Sequence, residues 1–289
     1  NSSASDARTL GLTGNAVFEG AVGGVTNGSL GSLSVSGTSA INGGSVKTTG
    51  IQTYTGAATL GAATTLTTTN STVTFESTLD SDAVGTPRAL TVQVGTGNID
   101  FDAAVGNTAA LGAITITSVA SLVADSTIDA ASFTQSAGSV LTQFDGAVDL
   151  SGNFDFTGQA LTLNAELDSD GTVEVSNAGT FTTAAAGDII ADLGFTQNGT
   201  GTNSVAGNVT TTNNNISFLR AVTLTGPVAM TTDSLGGNIT FSSTVDGTTA
   251  ATETLGLTAG TGNVTFSGLV GSTTTLGAVT INSAANVTT

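Results

Sequence analysis

The feature that most constrains this chain is that its sequence repeats itself. Residues 54–124 recur as residues 218–289 with small insertions, and the segments that start at Arg8, Arg88 and Glu253 also align with one another. Such self-similarity is typical of repeat proteins, in which one unit cannot bury its apolar face alone and its neighbours complete the core. We therefore predict one continuous domain over residues 1–289, with repeat blocks at residues 8–42, 54–124, 133–217 and 218–289.

Inside each block, short runs of alternating apolar and polar residues are separated by glycine and asparagine. Examples are "NIDFDAAV" from Asn98, "NITFSSTV" from Asn238 and "NVTFSG" from Asn263. The alternation predicts half-buried strands. Glycine and asparagine predict turns, because both tolerate positive φ. The phenylalanines between Phe195 and Phe266 recur roughly every 20–25 residues, which is enough chain for two or three short strands with their turns.

These patterns predict an all-β chain folded as a parallel β-solenoid of about 12–14 coils, each of roughly 20–25 residues. Each strand would pair with its equivalent one coil further along. Inward Val, Ile, Leu and Phe would form the core, while Thr and Ser would face water. The main alternative is an array of antiparallel sandwich domains of immunoglobulin type. Such domains need units of about 100 residues and buried aromatic anchors, so the short period and the lack of Trp count against them.

Composition restricts the partners of the chain. With 21 acidic and only 4 basic residues, the net charge is -17. Such a surface repels phosphate backbones and anionic lipid headgroups, so we expect no nucleic-acid partner. No run of about 18 apolar residues indicates membrane insertion. The absence of Cys excludes disulfides and thiolate metal sites. An acidic, Cys-free chain rich in Thr, Asn and Gly fits an extracellular, secreted protein of a bacterial or archaeal cell surface.

Four segments carry a resemblance to a known family. They are "FTQNGTGTNSVAGNVTTTNNNISF" from Phe195, "AVTLTGPVAMTT" from Ala221, "LTAGTGNVTFSG" from Leu257 and "LGAVTINSAANVTT" from Leu276. They resemble the repeat region of filamentous-haemagglutinin-like exoproteins and other large bacterial surface adhesins. The resemblance implies a right-handed parallel β-helix that is secreted and surface-associated. It also implies a role as a spacer, an adhesive stalk or an assembling subunit.

Catalysis is disfavoured by the residue types available. The chain has no His and no Cys, and these are the usual general bases and thiol nucleophiles. We therefore predict that the protein is not an enzyme. The alternative is a carbohydrate-active β-helix enzyme that uses Asp100 and Asp102. Positions i and i+2 of a strand share one face, and glycoside hydrolysis needs two carboxylates roughly 5 to 10 Å apart.

Calcium is a second use for the acids, although we predict no other cofactor. Ca²⁺ prefers six to eight oxygen ligands from carboxylates and carbonyls. Adjacent coils would offer Asp80, Asp82, Asp100 and Asp102 together with turn carbonyls, so these four are the candidate ligands. Neither the EF-hand spacing nor the Gly-Gly-x-Gly-x-Asp repeat is present. Plain surface charge, which keeps a β-rich protein soluble, is the competing interpretation. If the acids bind calcium, the alternative function is a calcium-dependent surface-assembly module.

Threonine clusters such as "TTLTTTNSTVT" from Thr64 raise the question of an ice-binding face. That function would require a flat threonine array at the same position in successive coils. The clusters recur at irregular intervals along the sequence, so we expect ordinary strand surface instead.

The leading functional hypothesis is a non-enzymatic structural or adhesive segment of a secreted bacterial surface protein. The last repeat stops mid-pattern at Thr289 without a polar cap. An uncovered terminal coil presents unpaired strand edges that invite stacking. We therefore expect either a segment of a longer protein or a subunit whose partners are other copies or neighbouring repeats end to end. Host or matrix surfaces are further expected partners.

Overall fold

The structure is a computed structural model that describes residues 8–24 and 28–289. These residues form strands and turns and contain no helix, so none of them forms a helix that could cross a membrane. The strands pair in parallel with strands one coil further along, in a β-solenoid of about 13 turns. The predicted fold class is thereby confirmed. Residues 1–7, and residues 25–27 of the first repeat block, lie outside the described residues.

The chain divides into two compact units, Asn1–Asp149 and Leu150–Thr289, and the prediction of one continuous domain stays a prediction. The strands that begin in the first unit are β1 (Leu10–Leu12), β2 (Ala16–Phe18), β3 (Leu33–Val35), β4 (Ser39–Ile41), β5 (Ser45–Lys47), β6 (Gln52–Tyr54), β7 (Ala58–Leu60), β8 (Thr64–Thr67), β9 (Val73–Phe75), β10 (Leu79–Ser81), β11 (Leu90–Gln93), β12 (Ile99–Phe101), β13 (Leu111–Ala124), β14 (Ile128–Gln135), β15 (Gly138–Phe144) and β16 (Val148–Leu150).

The strands that begin in the second unit are β17 (Phe154–Gly158), β18 (Ala160–Leu163), β19 (Leu167–Ser169), β20 (Val173–Asn177), β21 (Phe181–Thr183), β22 (Ile189–Ala191), β23 (Phe195–Gln197), β24 (Asn203–Val205), β25 (Val209–Thr210), β26 (Ile216–Phe218), β27 (Val222–Leu224), β28 (Val228–Thr231), β29 (Ile239–Phe241), β30 (Val245–Gly247), β31 (Leu255–Thr258), β32 (Asn263–Phe266), β33 (Val279–Ser283) and β34 (Asn286–Thr288).

A coil of the second unit contributes one strand to each of three parallel ladders. The first ladder is β17-β20-β23-β26-β29-β32-β34, the second is β18-β21-β24-β27-β30, and the third is β19-β22-β25-β28-β31-β33. Half of these strands have three residues whose outer two are buried and whose middle one faces outward. Since successive side chains of a strand alternate in direction, a three-residue strand is enough to place two apolar residues in the core.

Stacked aromatic rings confirm the repeat that the sequence predicts. In the first unit, Tyr54, Phe75 and Phe101 stack with ring centroids 4.7 and 5.7 Å apart. In the second unit, the rings of Phe218, Phe241 and Phe266 stack at 5.8 and 5.2 Å and are tilted by only 6° and 5°. These two triplets occupy matching places in the aligned segments. Removing one such ring from the core would cost about 3–5 kcal/mol of folding free energy.

The "GTGN" turn has the same geometry in both of its occurrences. Gly95 and Gly260 have φ values of 62° and 54°, a conformation that side chains with a Cβ rarely adopt. The amide of Gly95 donates to the hydroxyl of Ser118 at 3.0 Å, and the amide of Gly260 donates to the hydroxyl of Ser283 at 3.0 Å. The glycines are therefore required by the backbone of this turn rather than by a bound phosphate.

Polar side chains lie inside the coils, although the sequence pattern assigned Thr and Ser to the solvent. The buried side chains that carry amides or hydroxyls include Thr48, Gln52, Thr64, Thr68, Gln135, Thr142, Asn177, Thr183, Gln197, Asn203, Thr211 and Thr232. Many of them lie at the corners between strands, where turn carbonyls and amides face the interior. Because an unpaired buried backbone group costs free energy, these side chains replace the strand partner that the turn lacks.

Gln197 shows how such a corner is held. Its amide nitrogen donates to Asn177 Oδ1 at 2.8 Å and to the carbonyl of Gly199 at 3.3 Å. Its amide oxygen accepts from Asn203 Nδ2 and from the backbone amide of Arg220, both at 3.2 Å. The side chain is fully buried. A single glutamine therefore joins three successive coils.

Hydroxyl residues are in register in successive coils, although the threonine clusters recur at irregular intervals along the sequence. From β23 onward in the first ladder of the second unit, the outward residue is Thr196, Ser217, Thr240, Thr265 and Thr288 in turn. The two earlier strands of that ladder carry Asp155 and Glu174. The intervals vary along the sequence because turns of different length absorb the extra residues. The strands keep their alignment, since register is set by the buried apolar pattern.

We predict that Gln197→Leu destabilises the second unit by about 2–4 kcal/mol, because each buried polar group left unpaired costs about 1–3 kcal/mol. Leucine keeps most of the volume and removes every hydrogen bond. The measurement is the free energy of unfolding from urea denaturation. Thr196→Val, at the outward neighbour, is the matched control and should change stability by less than about 0.5 kcal/mol. Equal stability of Gln197→Leu and the unmodified chain would contradict this account of the corners.

Candidate functional site

Asp82, a predicted calcium ligand, is engaged by an arginine. The Arg88 guanidinium donates from Nε to Asp82 Oδ1 at 2.8 Å and from Nη2 to Oδ2 at 3.2 Å. These hydrogen bonds lower the pKa of the Asp82 carboxyl below its ordinary value. The two-bond geometry suits a planar guanidinium on a carboxylate. The pair therefore closes the loop between β10 and β11.

Asp80, the second predicted ligand, holds a turn of the next coil. Its Oδ1 accepts from the backbone amides of Thr108 at 2.8 Å and Ala109 at 3.3 Å, and the side chain is only 8% exposed. Asp246 does the same in the matching repeat, where its Oδ1 accepts from Thr273 at 2.8 Å and from the following amide at 3.4 Å. This carboxylate is therefore part of the turn geometry of both repeats.

Asp100 and Asp102 lie close enough for their charges to interact, with Asp102 directly after the end of β12. Asp100 is the central residue of β12 and is in register with Thr74 and Val123. Burial raises the pKa of Asp100, and the neighbouring charges of Asp102 and Asp125 raise it further, against a hydrogen bond from Thr74. The pKa of Asp102 is also raised, chiefly by burial and then by Asp125 and Glu76.

Three residues of this acidic group, Glu76, Asp125 and Asp145, were not predicted from the sequence. Four acids each follow directly after the last residue of a strand: Glu76, Asp102, Asp125 and Asp145. The backbone amide of each donates to a carbonyl of the preceding coil. We call these four residues, together with Asp100 on β12, the acidic row. The signal that would have revealed it is local: three of the four acids directly follow an inward phenylalanine, in "TFE", "DFD" and "QFD".

Like charges also face each other elsewhere in each unit. Burial and the charge of Asp149 raise the pKa of Asp129. In the second unit, Asp155 and Glu174 are in register on β17 and β20, and burial together with that glutamate raises the pKa of Asp155. Like charges directly opposite each other on neighbouring strands destabilise a sheet. Repulsion between stacked acids is therefore a recurrent electrostatic feature of both units.

The four predicted calcium ligands do not form one group. Asp80 and Asp82 have separate protein partners, whereas Asp100 and Asp102 belong with the acidic row. Within residues 8–24 and 28–289, no three or more acidic or other metal-binding side chains are grouped to hold a metal ion. The described residues thus supply pairs and rows of carboxylates rather than a closed shell of ligands.

The pair proposed for carbohydrate chemistry has two pKa shifts of the same sign. Acid and base roles in glycoside hydrolysis are separated when the environment makes one carboxyl retain its proton and leaves the other ionised. Both Asp100 and Asp102 have raised pKa values, with burial as the main cause in each. The electrostatics of this pair therefore do not assign one acid and one base.

Comparison with known proteins identifies no relative. No family model matches the chain, and no curated protein or solved structure matches it. The function is therefore inferred from the geometry of the coils and from the charges that they carry.

We predict that Asp100→Asn raises the stability of the first unit at neutral pH by about 0.2–1 kcal/mol, a range reduced for solvent screening of a partly exposed group. Because the pKa of Asp100 is raised in the folded state, protonation of this carboxyl stabilises the folded state at low pH. That stabilisation is lost as the pH rises through the folded-state pKa. The gain should therefore vanish below the ordinary carboxyl pKa. The measurement is the melting temperature between pH 3 and pH 7, which is about the span of carboxyl titration.

The control for that prediction is Asp170→Asn, at an exposed acid of the second unit. It should leave the pH dependence of melting unchanged. If Asp100→Asn lowers the melting temperature at pH 7, which is well above ordinary carboxyl pKa values, the repulsive reading of the acidic row is wrong.

Proposed function

We propose that this chain is a non-enzymatic structural segment of a secreted bacterial surface protein, whose coils stack end to end with further coils. Its role would be to give reach, assembly or many weak contacts, as in a spacer, an adhesive stalk or a filament subunit. Host or matrix surfaces are the proposed external partners. The acidic, Cys-free composition and the resemblance to adhesin repeats support the surface location.

The observation that carries the proposal is the exposed apolar surface of the coil that contains β33 and β34. Val279 and Ile281 are in register with Leu255 and Leu257 of the preceding coil. The leucines are buried, but Val279 is 42% and Ile281 is 36% exposed, and Val287 of β34 is 48% exposed. A further coil on this surface would bury these side chains in the way that every interior coil does.

The turns also support a role based on shape. The side-chain oxygen of a turn Asn or Asp repeatedly accepts a backbone amide of the next coil. The residues that do so include Asn15, Asn70, Asn98, Asn153, Asp188, Asn208, Asn213, Asn215 and Asn238. Much of the polar chemistry of the chain is therefore used to fix one coil on another.

Calcium-dependent assembly is the second candidate, and the acidic row favours it. Carboxylates stacked in successive coils repel one another, and a divalent cation between them would relieve that repulsion. Asp100 and Asp102 remain the proposed calcium ligands. Asp80 and Asp82 could bind calcium only by giving up their present hydrogen-bond partners.

We predict that the purified chain forms end-to-end assemblies that Ile281→Lys abolishes, because a charge would be buried against the next coil. Electron microscopy and light scattering measure assembly length. Val84→Lys is the matched control, since Val84 is 79% exposed in the loop after β10 and should leave assembly intact. Single particles for the unmodified chain, or equal loss in both variants, would contradict end-to-end stacking.

For the calcium candidate, we predict that millimolar CaCl₂ raises the melting temperature more than NaCl of equal ionic strength does, and that Asp102→Asn removes the difference. Simple screening depends on ionic strength, whereas bridging depends on the divalent ion. Identical effects of the two salts would reject a bridging calcium and leave only screened surface charge.

A further inference from the structure

One surface of the second unit combines a row of hydroxyl residues with a row of asparagines beside it. It consists of the outward residues of β26, β29, β32 and β34 and the asparagines at their starts, and we call it the Asn–Thr face. Its members are Asn215, Ser217, Asn238, Thr240, Asn263, Thr265, Asn286 and Thr288, with Ser242 and Ser267 beside them. The motif is "NIS", "NIT", "NVT" and "NVT" in four successive coils.

The asparagines of this face are locked to one another. Asn215 Oδ1 accepts the backbone amide of Asn238 at 2.8 Å, and Asn238 Oδ1 accepts that of Asn263 at 2.9 Å. Asn286 Nδ2 donates to Asn263 Oδ1 at 2.9 Å. Each side chain is therefore held at the same orientation as its neighbour, which makes one straight row of amides.

The hydroxyls form a second row beside the amides. Ser217, Thr240 and Thr265 are exact register partners across β26, β29 and β32. Their hydroxyl groups have no partner among the described residues. A hydroxyl offers one donor and two acceptor positions. The face thus presents hydrogen-bonding groups at the strand spacing of about 4.8 Å.

The core side chains behind the Asn–Thr face keep it flat. The rings of Phe218, Phe241 and Phe266 lie behind it and are parallel within 6° and 5°, so successive coils repeat with little rotation at this point. The pairing of these strands has no register shift. In contrast, the pairing of β31 with β33 shifts between Leu257 and Thr258.

The face is also uncharged in a chain whose net charge is -17. No acid or base occupies any of its ten positions. The earlier strands of the same ladder carry Asp155 and Glu174. The second ladder has a hydroxyl row from Thr162 to Thr223 that ends at Asp246, but it has no row of asparagines beside it. An uncharged surface with fixed donors and acceptors suits a neutral partner that is itself ordered.

Two other neutral partners fit less well. Four strands span only about 15–20 Å, and each contributes two outward positions about 7 Å apart. The face therefore covers on the order of 100–200 Å², far below the roughly 800 Å² per partner of a stable protein interface. A sugar chain would require an exposed aromatic ring to stack against, and the phenylalanines of this face are 5% exposed or less.

We propose that the Asn–Thr face binds ice. Hydroxyl and amide groups both donate and accept, so a rigid array of them holds water molecules at fixed positions. The partner is the ordered water lattice at an ice surface, and the binding is independent of end-to-end stacking.

The test is partition of the 289-residue chain into slowly growing ice, with ice recrystallisation as a second readout. We expect the chain to be enriched in the ice fraction and to slow recrystallisation. The double variant Thr240→Lys/Thr265→Lys should lose both effects. The matched control is Thr182→Lys/Thr223→Lys, which places the same charges in the outward row of the second ladder. This control should retain both the enrichment in ice and the slowing of recrystallisation.

Circular dichroism and melting temperature establish that both double variants remain folded. Should either variant unfold, Thr240→Val/Thr265→Val replaces the face variant and Thr182→Val/Thr223→Val replaces the control, because valine keeps the strand and removes the hydroxyls. Exclusion of the unmodified chain from ice to the same extent as albumin would overturn the proposal. Equal partition of the face variant and the control variant would overturn it as well.

Discussion

In-register parallel pairing between successive coils is the interaction on which everything else in this structure depends. A three-residue strand such as β26 or β29 has few contacts of its own, and a short strand is marginal in isolation. Pairing on both sides supplies its backbone hydrogen bonds, and stacking of Phe218 on Phe241 supplies its core. The same pairing brings residues more than twenty positions apart in the sequence to about 4.8 Å from one another. It therefore sets the surface chemistry as well as the fold.

The sequence predicted the parts of the structure that follow from periodicity. The spacing of Phe218, Phe241 and Phe266 predicted their stacking, and the alternation in "NVTFSG" predicted a half-buried strand. Buried polar residues such as Gln197 were not predicted, because alternation assigns a direction to a side chain but does not reveal an unpaired carbonyl at a corner. The turn role of Asp80 was missed for a related reason. Its partners, Thr108 and Ala109, become neighbours only when the coil is closed.

Register also explains why acids and hydroxyls collect in rows. A residue type that recurs at a fixed place in the repeat is aligned with its copies, whatever the turn length between them. In the first unit this places Glu76, Asp102 and Asp125 in neighbouring coils, and burial and mutual repulsion raise the pKa of Asp102. In the second unit it places Thr240 beside Thr265 on an uncharged face. One construction principle thus yields rows of acids in both units and, in part of the second unit, a neutral face.

The most direct test of this account is a set of distances between in-register positions. The chain has no native Cys, so spin labels can be attached at pairs of engineered cysteines. Thr162 is the first position of the outward row that continues through Thr182, Ser204, Thr223 and Asp246. Labels at Thr162→Cys and each later position should show narrow distances that increase by about 4.8 Å per coil. Broad distributions, or distances that follow sequence separation, would contradict in-register stacking.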